Sequence, residues 1–199
     1  MHKNCPAFYP RAHWAIESLL SQPEYQNYHW SSLQPNVFTT QILAPALELI
    51  KEHRKTGKQG SLSMIMDRNS PNALIDSYDV GVFAAHLLAK EETDKHNKAK
   101  YVLTGPEDVT GEQIVKLIEG HLGEAVKDVK YKDFAVIDAW AESVPEQRTL
   151  IKAIGRAGAA IWGGSALETR SKEVPEIYTP SRTAEVVLKE MVEGAVSGE

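Results

Sequence analysis

Residues 72–110 have the sequence NALIDSYDVGVFAAHLLAKEETDKHNKAKYVLTGPEDVT. They combine a helix pattern with a strand pattern, and this combination decides the fold predicted for the chain. They predict a loop carrying Ile75 and Asp76, a helix from about Asp79, a charged linker, and a short strand over 101–103. Apolar residues of this helix recur at the spacing of one buried stripe: Val80, Phe83, Ala84, Leu87 and Leu88. We therefore expect the helix to pack on a sheet.

The end of the same stretch predicts where the next helix begins. Thr110 followed three residues later by Gln113 has the form of a capping box, in which each side chain bonds the other residue's free backbone N–H. Ile114, Leu117 and Ile118 would form the buried face. Gly120 or Gly123 would end the helix.

Similar patterns predict the remaining elements. Helices are expected over 12–20, over 38–53, after Asp133, over 147–160 and from about 180 onward. The 38–53 helix is either one piece or two pieces divided at Pro45. Strands are expected over 28–33, 61–66 and 126–131. The helix after Asp133 should have Val136, Ala139 and Trp140 on one face, and the 147–160 helix should bury Leu150, Ile151, Ile154 and Ala157. Strands that alternate with helices predict an α/β fold, here with a mainly helical C-terminal region.

Composition excludes several classes of function. The 199 residues carry a net charge of −5, which gives no basic footprint for nucleic acid. A single cysteine, Cys5, excludes an internal disulfide, and no Cys/His cluster suggests a metal site. No apolar run is long enough to span a bilayer. We expect a cytoplasmic protein, with entry into the nucleus by diffusion allowed.

Three segments, in order, carry a resemblance to a known family. They are HWSSLQPNVFTTQIL (29–43), IDSYDVGVFAAHLL (75–88) and YVLTGPEDVTGEQIVKLIEGHLG (101–123). Together they resemble the latter half of the NmrA-like proteins, an atypical branch of the short-chain dehydrogenases/reductases. Gln34 stands where an arginine is usual in that family.

The resemblance implies a partial Rossmann-like, NAD(P)-binding fold whose N-terminal βαβ units are missing, with residues 1–199 forming one truncated NmrA-like domain. The glycine-rich turn that holds the pyrophosphate in such folds is not found, because the densest glycines, 155–164, follow a helical pattern. We expect a fragment, a mispredicted gene product, or a protein completed by a partner. In each case the sheet would keep an open edge.

Tyr9 and His13 have the separation of the catalytic tyrosine and lysine of short-chain dehydrogenases. A phenol near a cation can move a proton at a carbonyl or alcohol oxygen. His13 stands where many relatives place the lysine, but an imidazole is mostly neutral at pH 7. The alternative, which we favour from the residues alone, is a surface tyrosine and a helix-start histidine without a catalytic role.

The loop after the first predicted strand is the expected cofactor contact. By resemblance, the backbone of Pro35, Asn36, Val37 and Phe38 would pass the nicotinamide, and Asn36 or Phe38 would border the substrate pocket. The alternative is that Pro35 ends the strand, Asn36 shapes the turn and Phe38 fills the core.

Aromatic and acidic residues are the remaining candidates. Tyr78, Trp140 and Trp162 are interpreted as lining an apolar substrate cleft; large aromatics also pack in cores. Asp79 is interpreted as a helix cap.

The resemblance implies NADP or NAD as cofactor and a small-molecule substrate, such as a carbonyl or an enone. Cofactor binding would be impaired without the glycine-rich turn. The second hypothesis is a non-enzymatic redox sensor or transcriptional co-regulator that binds a protein partner, because NmrA itself acts in that way. Self-association through the open sheet edge is a further expectation.

Overall fold

The computed structural model describes residues 8–89, 93–159 and 170–197. Helices in these ranges are α1 (Phe8–Leu20), α2 (Thr39–Thr56), α3 (Ser77–Ala89), α4 (Gly111–Leu122), α5 (Ala135–Ser143), α6 (Arg148–Ala159), α7 (Val174–Ile177) and α8 (Ala184–Ser197). Strands are β1 (Ser31–Pro35), β2 (Leu62–Ser63), β3 (Ala99–Leu103) and β4 (Val129–Lys130). None of the helices in the described ranges is long and apolar enough to cross a membrane.

The strands form two parallel pairs. β1 pairs with β3, with Leu33 opposite Tyr101, and β2 pairs with β4, with Leu62 opposite Val129. Parallel neighbours need a crossover connection, and helices occur between the members of each pair. The α/β fold predicted from the sequence is confirmed.

Two apolar clusters hold these elements together. The larger one joins α2, α4 and α8 to β2, and includes Leu43, Ile50, Ile114, Ile118 and Leu188. The smaller one lies between the β1–β3 pair, α3 and α7, around Ile75, Phe83, Tyr101, Leu103 and Val174.

The predicted start of α4 is confirmed. The backbone N–H of Gln113 donates to Thr110 Oγ1 at 3.2 Å, and Gln113 Oε1 accepts from the Thr110 N–H at 2.8 Å. The helix ends at Gly123, whose φ of 75° lies in the left-handed region that favours glycine.

The helix α2 is one piece and not two. Pro45 lies inside it, at a cost of about 3 kcal/mol for an ordinary helix interior. The buried face of Leu43, Ala46, Leu49 and Ile50 offsets this cost by packing in the larger cluster.

Some predicted buried faces are wrong. Leu88 is 86% exposed, because only part of the α3 stripe packs in the smaller cluster, with Phe83 at its centre. In α5 the residue that is fully buried is Ala141, while Trp140 is 38% exposed. In α6 Ile151 is buried as predicted but Leu150 is 42% exposed.

The helical period was correct in each of these cases. The sequence does not show which neighbour the helix meets, so the buried face is displaced from the predicted one.

Candidate functional site

A buried carboxylate fixes α1 against the β1–β3 pair. Glu17 is 5% exposed and accepts hydrogen bonds from Ser32 Oγ at 2.5 Å and Gln34 Nε2 at 2.7 Å. Its other oxygen lies 2.8 Å from Lys100 Nζ. Burial raises the pKa of the Glu17 carboxyl, but the bonds from Lys100, Ser32 and Gln34 outweigh it, and the pKa falls below its ordinary value. The carboxylate is therefore charged and paired at neutral pH.

The same contacts give the direction of α1 along β1. Trp30 Nε1 donates to the Leu20 carbonyl at 3.2 Å, so the end of α1 lies beside the residue that precedes β1. Glu17 then lies beside Ser32 and Gln34, further along the strand. The helix therefore runs antiparallel to the strand, and its N-terminus points toward the strand's carboxyl end.

Tyr9 and His13 lie on the part of α1 that extends past this end. At 1.5 Å per residue, His13 is about 6 Å and Tyr9 about 12 Å before Glu17, while Asn36 is about 7 Å beyond Gln34. The rings of Tyr9 and His13 meet edge to face, with centroids 4.6 Å apart. Tyr9 as a whole is 39% exposed. Their catalytic role stays a prediction.

Residues 35–38 form the strand end and a bent loop that hydrogen bonds hold in place. The Asn36 N–H donates to the Leu103 carbonyl at 2.9 Å, and Asn36 Oδ1 accepts from the Val37 N–H at 2.9 Å. Phe38 forms a single parallel bridge with Ile75, whose N–H donates to the Val37 carbonyl at 3.0 Å. Phe38 packs against the smaller apolar cluster. The turn role of Asn36 is thus observed, and the nicotinamide contact stays a prediction.

The turn after β3 closes tightly on the same place. The Gly105 N–H donates to the Leu74 carbonyl at 2.6 Å, and a Cβ built on Gly105 would overlap that oxygen. Glycine is therefore required by the close approach of two backbones. The turns that follow β1 and β3 and the loop before α3 consequently meet at the carboxyl edge of the β1–β3 pair, where open α/β sheets bind ligands.

Two aspartates, Asp76 and Asp79, lie at the start of α3. Asp76 and not Asp79 is the cap of α3, because Asp76 Oδ1 accepts from the Tyr78 N–H at 2.7 Å. Asp79 is fully buried and accepts from Tyr178 Oη at 2.6 Å. Its second oxygen accepts from the N–H groups of Ser181 at 3.2 Å and Arg182 at 3.0 Å. The predicted capping role of Asp79 is wrong, since a distant segment supplies its donors.

The bond to Asp79 also changes the tyrosine that makes it. It raises the pKa of the Tyr178 hydroxyl, with burial adding to the effect, because an ionised phenol cannot donate to a carboxylate. Arg182 lies 3.2 Å from Asp76 Oδ1 through Nε, and its guanidinium lies over the Tyr78 ring at 5.4 Å from the centroid. Through the contacts of Tyr178 and Arg182, the segment before α8 is bound to the start of α3.

The aromatic residues predicted to line a substrate cleft are separate where they are described. Tyr78 is 64% exposed beneath Arg182, and Trp140 lies on α5. No ring contact among the described residues joins them. Trp162 lies outside the described residues. A groove of about 740 Å³ exists between α2 and α8, but none of the predicted site residues lines it.

Sequence reasoning missed Glu17 and Arg182. In the segment HWAIESLL of α1, Glu17 is the one carboxylate among mostly apolar residues. This was the available signal, because a carboxylate on an apolar helix needs partners when it is buried. Arg182 gave no local signal, since its partners are remote in sequence. No group of three metal-ligating side chains occurs in the described ranges.

Comparison with known proteins supports the fold. No profile of a known protein family matches the chain, and no curated protein sequence matches it. Two solved structures of an NADPH-dependent quinone oxidoreductase from Escherichia coli, one of them in complex with NADPH, have TM-scores of 0.65 and 0.67 to it. Sequence identity is 16% and 18%, over 95% of this chain.

The chain spans 63% and 62% of the length of these neighbours. At this identity the similarity concerns the fold alone. The chain therefore has a partial Rossmann-like α/β fold, of the kind found in these NADPH-dependent reductases.

Proposed function

We propose that the chain is an NmrA-like domain over residues 1–199 that provides the nicotinamide side and the substrate side of an NAD(P)-dependent oxidoreductase. The two solved structures with this fold belong to an enzyme of that type, and one was determined with NADPH. The three segments that resemble the NmrA-like family include β1, α3, β3 and α4.

The observation that carries the proposal is the junction at the carboxyl edge of the β1–β3 pair. There the loop 35–38 is held by Leu103 and Ile75, and the bonds of Leu20 and Glu17 to residues 30–34 direct the N-terminus of α1 toward the strand ends. A loop backbone that is fixed on both sides can border a flat ring without rearranging when the ring binds. The fit concerns only the nicotinamide end of the cofactor.

The chemistry expected of the residues is proton donation. A bound nicotinamide would supply the hydride for a carbonyl or quinone carbon. The Tyr9 hydroxyl would donate the proton to the substrate oxygen, and His13, in edge contact with the Tyr9 ring, would be positioned by the same helix. Substrates of this kind are small, and the quinone of the structural neighbour is the first one to test.

The pyrophosphate is the part of the cofactor that the described residues do not hold. None of the strand-to-helix turns in the described ranges is glycine-rich, and a helix after such a turn is the usual phosphate site in this fold. We therefore expect weak binding of NADPH.

The direct test is titration with NADPH, followed through the fluorescence of the four tryptophans. We expect a weak but saturable signal. Asn36→Ala should weaken it at least threefold, because the Asn36 side chain shapes the loop. Asn69→Ala, at an exposed asparagine just before Pro71, is the matched control and should not change it. A linear, unsaturable response, or equal binding by Asn36→Ala, would contradict the proposal.

One observation favours the alternative of a redox-sensing regulator. His13 stands where the resemblance places the lysine that short-chain dehydrogenases use beside the catalytic tyrosine. A regulator of this kind would bind NADPH without oxidising it in the presence of 1,4-benzoquinone, and would retain a protein partner during purification. Turnover that Tyr9→Phe abolishes would decide for the enzyme. A monomer without a partner would count against the regulator.

A further inference from the structure

The helix α1 is attached to the sheet mainly through a charged side chain. Among its 13 residues, all of which the structure describes, Glu17 is the one that is buried. Helices that pack on a sheet usually bury an apolar stripe instead. A buried carboxylate is costly unless a cation and hydrogen-bond donors meet its oxygens. The position of α1 therefore depends on the groups that Glu17 contacts.

These groups lie on one face of the β1–β3 pair. Ser32 and Lys100 are opposite each other in the parallel register, and Gln34 comes two residues after Ser32, on the same face. Ser32 and Gln34 both donate to Glu17 Oε1, and Lys100 Nζ lies 2.8 Å from Glu17 Oε2. The carboxylate therefore lies across both strands, and its cation comes from β3.

Position 34 is the place from which β1 could supply that cation. Gln34 is 8% exposed, and its amide nitrogen already donates to Glu17 at 2.7 Å. An arginine is usual at this position in the NmrA-like proteins that the sequence resembles. Its guanidinium would meet the same carboxylate with a charge that the glutamine amide lacks. With Gln34 in this chain, the charge has to come from the neighbouring strand.

We propose that Lys100 is a positioning residue, which holds α1 on the sheet through Glu17 and takes the place of a cation at position 34. Lys100 thereby fixes the N-terminal half of α1, where Tyr9 lies about 12 Å and His13 about 6 Å before Glu17. It acts through the helix and not on the substrate. Only the consequence for Tyr9 rests on the proposed function.

The two partners differ in exposure, and this makes the lysine the better one to change. The Lys100 side chain is 46% exposed, whereas the Glu17 side chain is 6% exposed. Loss of the lysine charge therefore leaves a buried carboxylate without its cation, while the surface at Lys100 needs little repacking. Because α6 also contacts α1, we expect the helix to loosen and not to detach.

Hydrogen exchange of the full chain, measured by mass spectrometry, tests the proposal. Lys100→Met should raise the exchange rate of the α1 amides about tenfold, while α4, in the larger apolar cluster, keeps its wild-type rate. Lys100→Arg keeps the charge and should keep α1 protected. The matched control is Lys130→Met, at an exposed lysine on β4, which should not change the exchange of α1.

Moving the cation to β1 separates its charge from the packing of the lysine stem. The double variant Lys100→Met/Gln34→Arg should restore slow exchange in α1, because the guanidinium would face the same carboxylate. Exchange of α1 in Lys100→Met that equals the wild-type rate overturns the proposal. So does fast exchange that persists in both Lys100→Arg and the double variant, since the charge would then not be what holds the helix.

Turnover of NADPH with 1,4-benzoquinone tests the consequence for Tyr9. Lys100→Met should lower kcat about tenfold and leave the KM for NADPH unchanged, because Lys100 lies outside the loop 35–38. The double variant should recover kcat. A wild type without turnover contradicts the proposed enzyme alone, because the exchange experiment needs no cofactor. An unchanged kcat in Lys100→Met, in a wild type that does turn over, contradicts the positioning of Tyr9.

Discussion

Replacing Asp79 with alanine should destabilise the fold by far more than the loss of a helix cap. The substitution leaves three donors without their acceptor: the Tyr178 hydroxyl and the N–H groups of Ser181 and Arg182. Asp79 is fully buried, while Tyr178 and Arg182 are half-buried and Ser181 is exposed. Each donor left unpaired therefore costs about 1–2 kcal/mol, less than a fully buried group would. We expect a loss of about 3–5 kcal/mol, whereas removal of a cap costs about 1 kcal/mol.

Urea denaturation, followed by far-ultraviolet circular dichroism, measures this difference. Asp79→Asn keeps one acceptor oxygen and should fall between the wild type and Asp79→Ala. Tyr178→Phe should cost about 1–2 kcal/mol alone and show coupling to Asp79 in a double-mutant cycle. The control is Asp138→Ala on α5, an exposed carboxylate whose loss should cost less than about 0.5 kcal/mol. A loss of 1 kcal/mol or less for Asp79→Ala, with no coupling to Tyr178, would refute the reasoning.

Three further predictions concern other contacts. Because the pKa of Glu17 is lowered in the folded protein, its charged form stabilises the fold above the ordinary titration range of a glutamate. This stability is lost as the pH falls through the lowered pKa of the folded state. Glu17→Gln should therefore flatten the fall in the urea midpoint between about pH 5 and pH 3. Thr110→Ala should cost about 1 kcal/mol by removing the capping box, measured by the same titration at pH 7. Gly105→Ala should cost about 1–3 kcal/mol because its Cβ would overlap the Leu74 carbonyl, while Gly120→Ala, with open space around it, should stabilise α4 slightly; equal effects of the two would contradict this account.

Local signals in the sequence predicted the local structure well. The start and end of α4 follow from Thr110, Gln113 and Gly123, because a cap needs only residues that are neighbours along the chain. The last helix, expected from about residue 180, begins at Ala184 and buries Ala184, Val187 and Leu188.

Contacts between distant parts of the chain could not be predicted in this way. The donors to Asp79 lie about a hundred residues further on, so its position near a helix start suggested a cap. Glu17 bonds Gln34 and Lys100 on two strands, and no periodicity encodes such a meeting. Phe8 and Leu19 of α1 are exposed, although apolar residues at helical spacing usually face a core.

The position of the loop 35–38 in the fold was predicted, and its contacts were not; its role at a cofactor stays a prediction. The loop 35–38 was placed at a strand end from the sequence, and the structure shows it there. That Ile75 and Leu103 hold this loop required the pairing of β1 with β3, which depends on the whole fold.

The central claim is that the described residues hold the nicotinamide end of a dinucleotide and not its adenine end. Comparison of three ligands by tryptophan fluorescence tests it most directly: NADPH, reduced nicotinamide mononucleotide and adenosine 2′,5′-bisphosphate. The account predicts saturable binding of the first two with dissociation constants within about fivefold of each other, a difference of about 1 kcal/mol, and none of the third. Binding of the adenosine bisphosphate as tight as that of NADPH, or no binding of the nicotinamide mononucleotide, would contradict it.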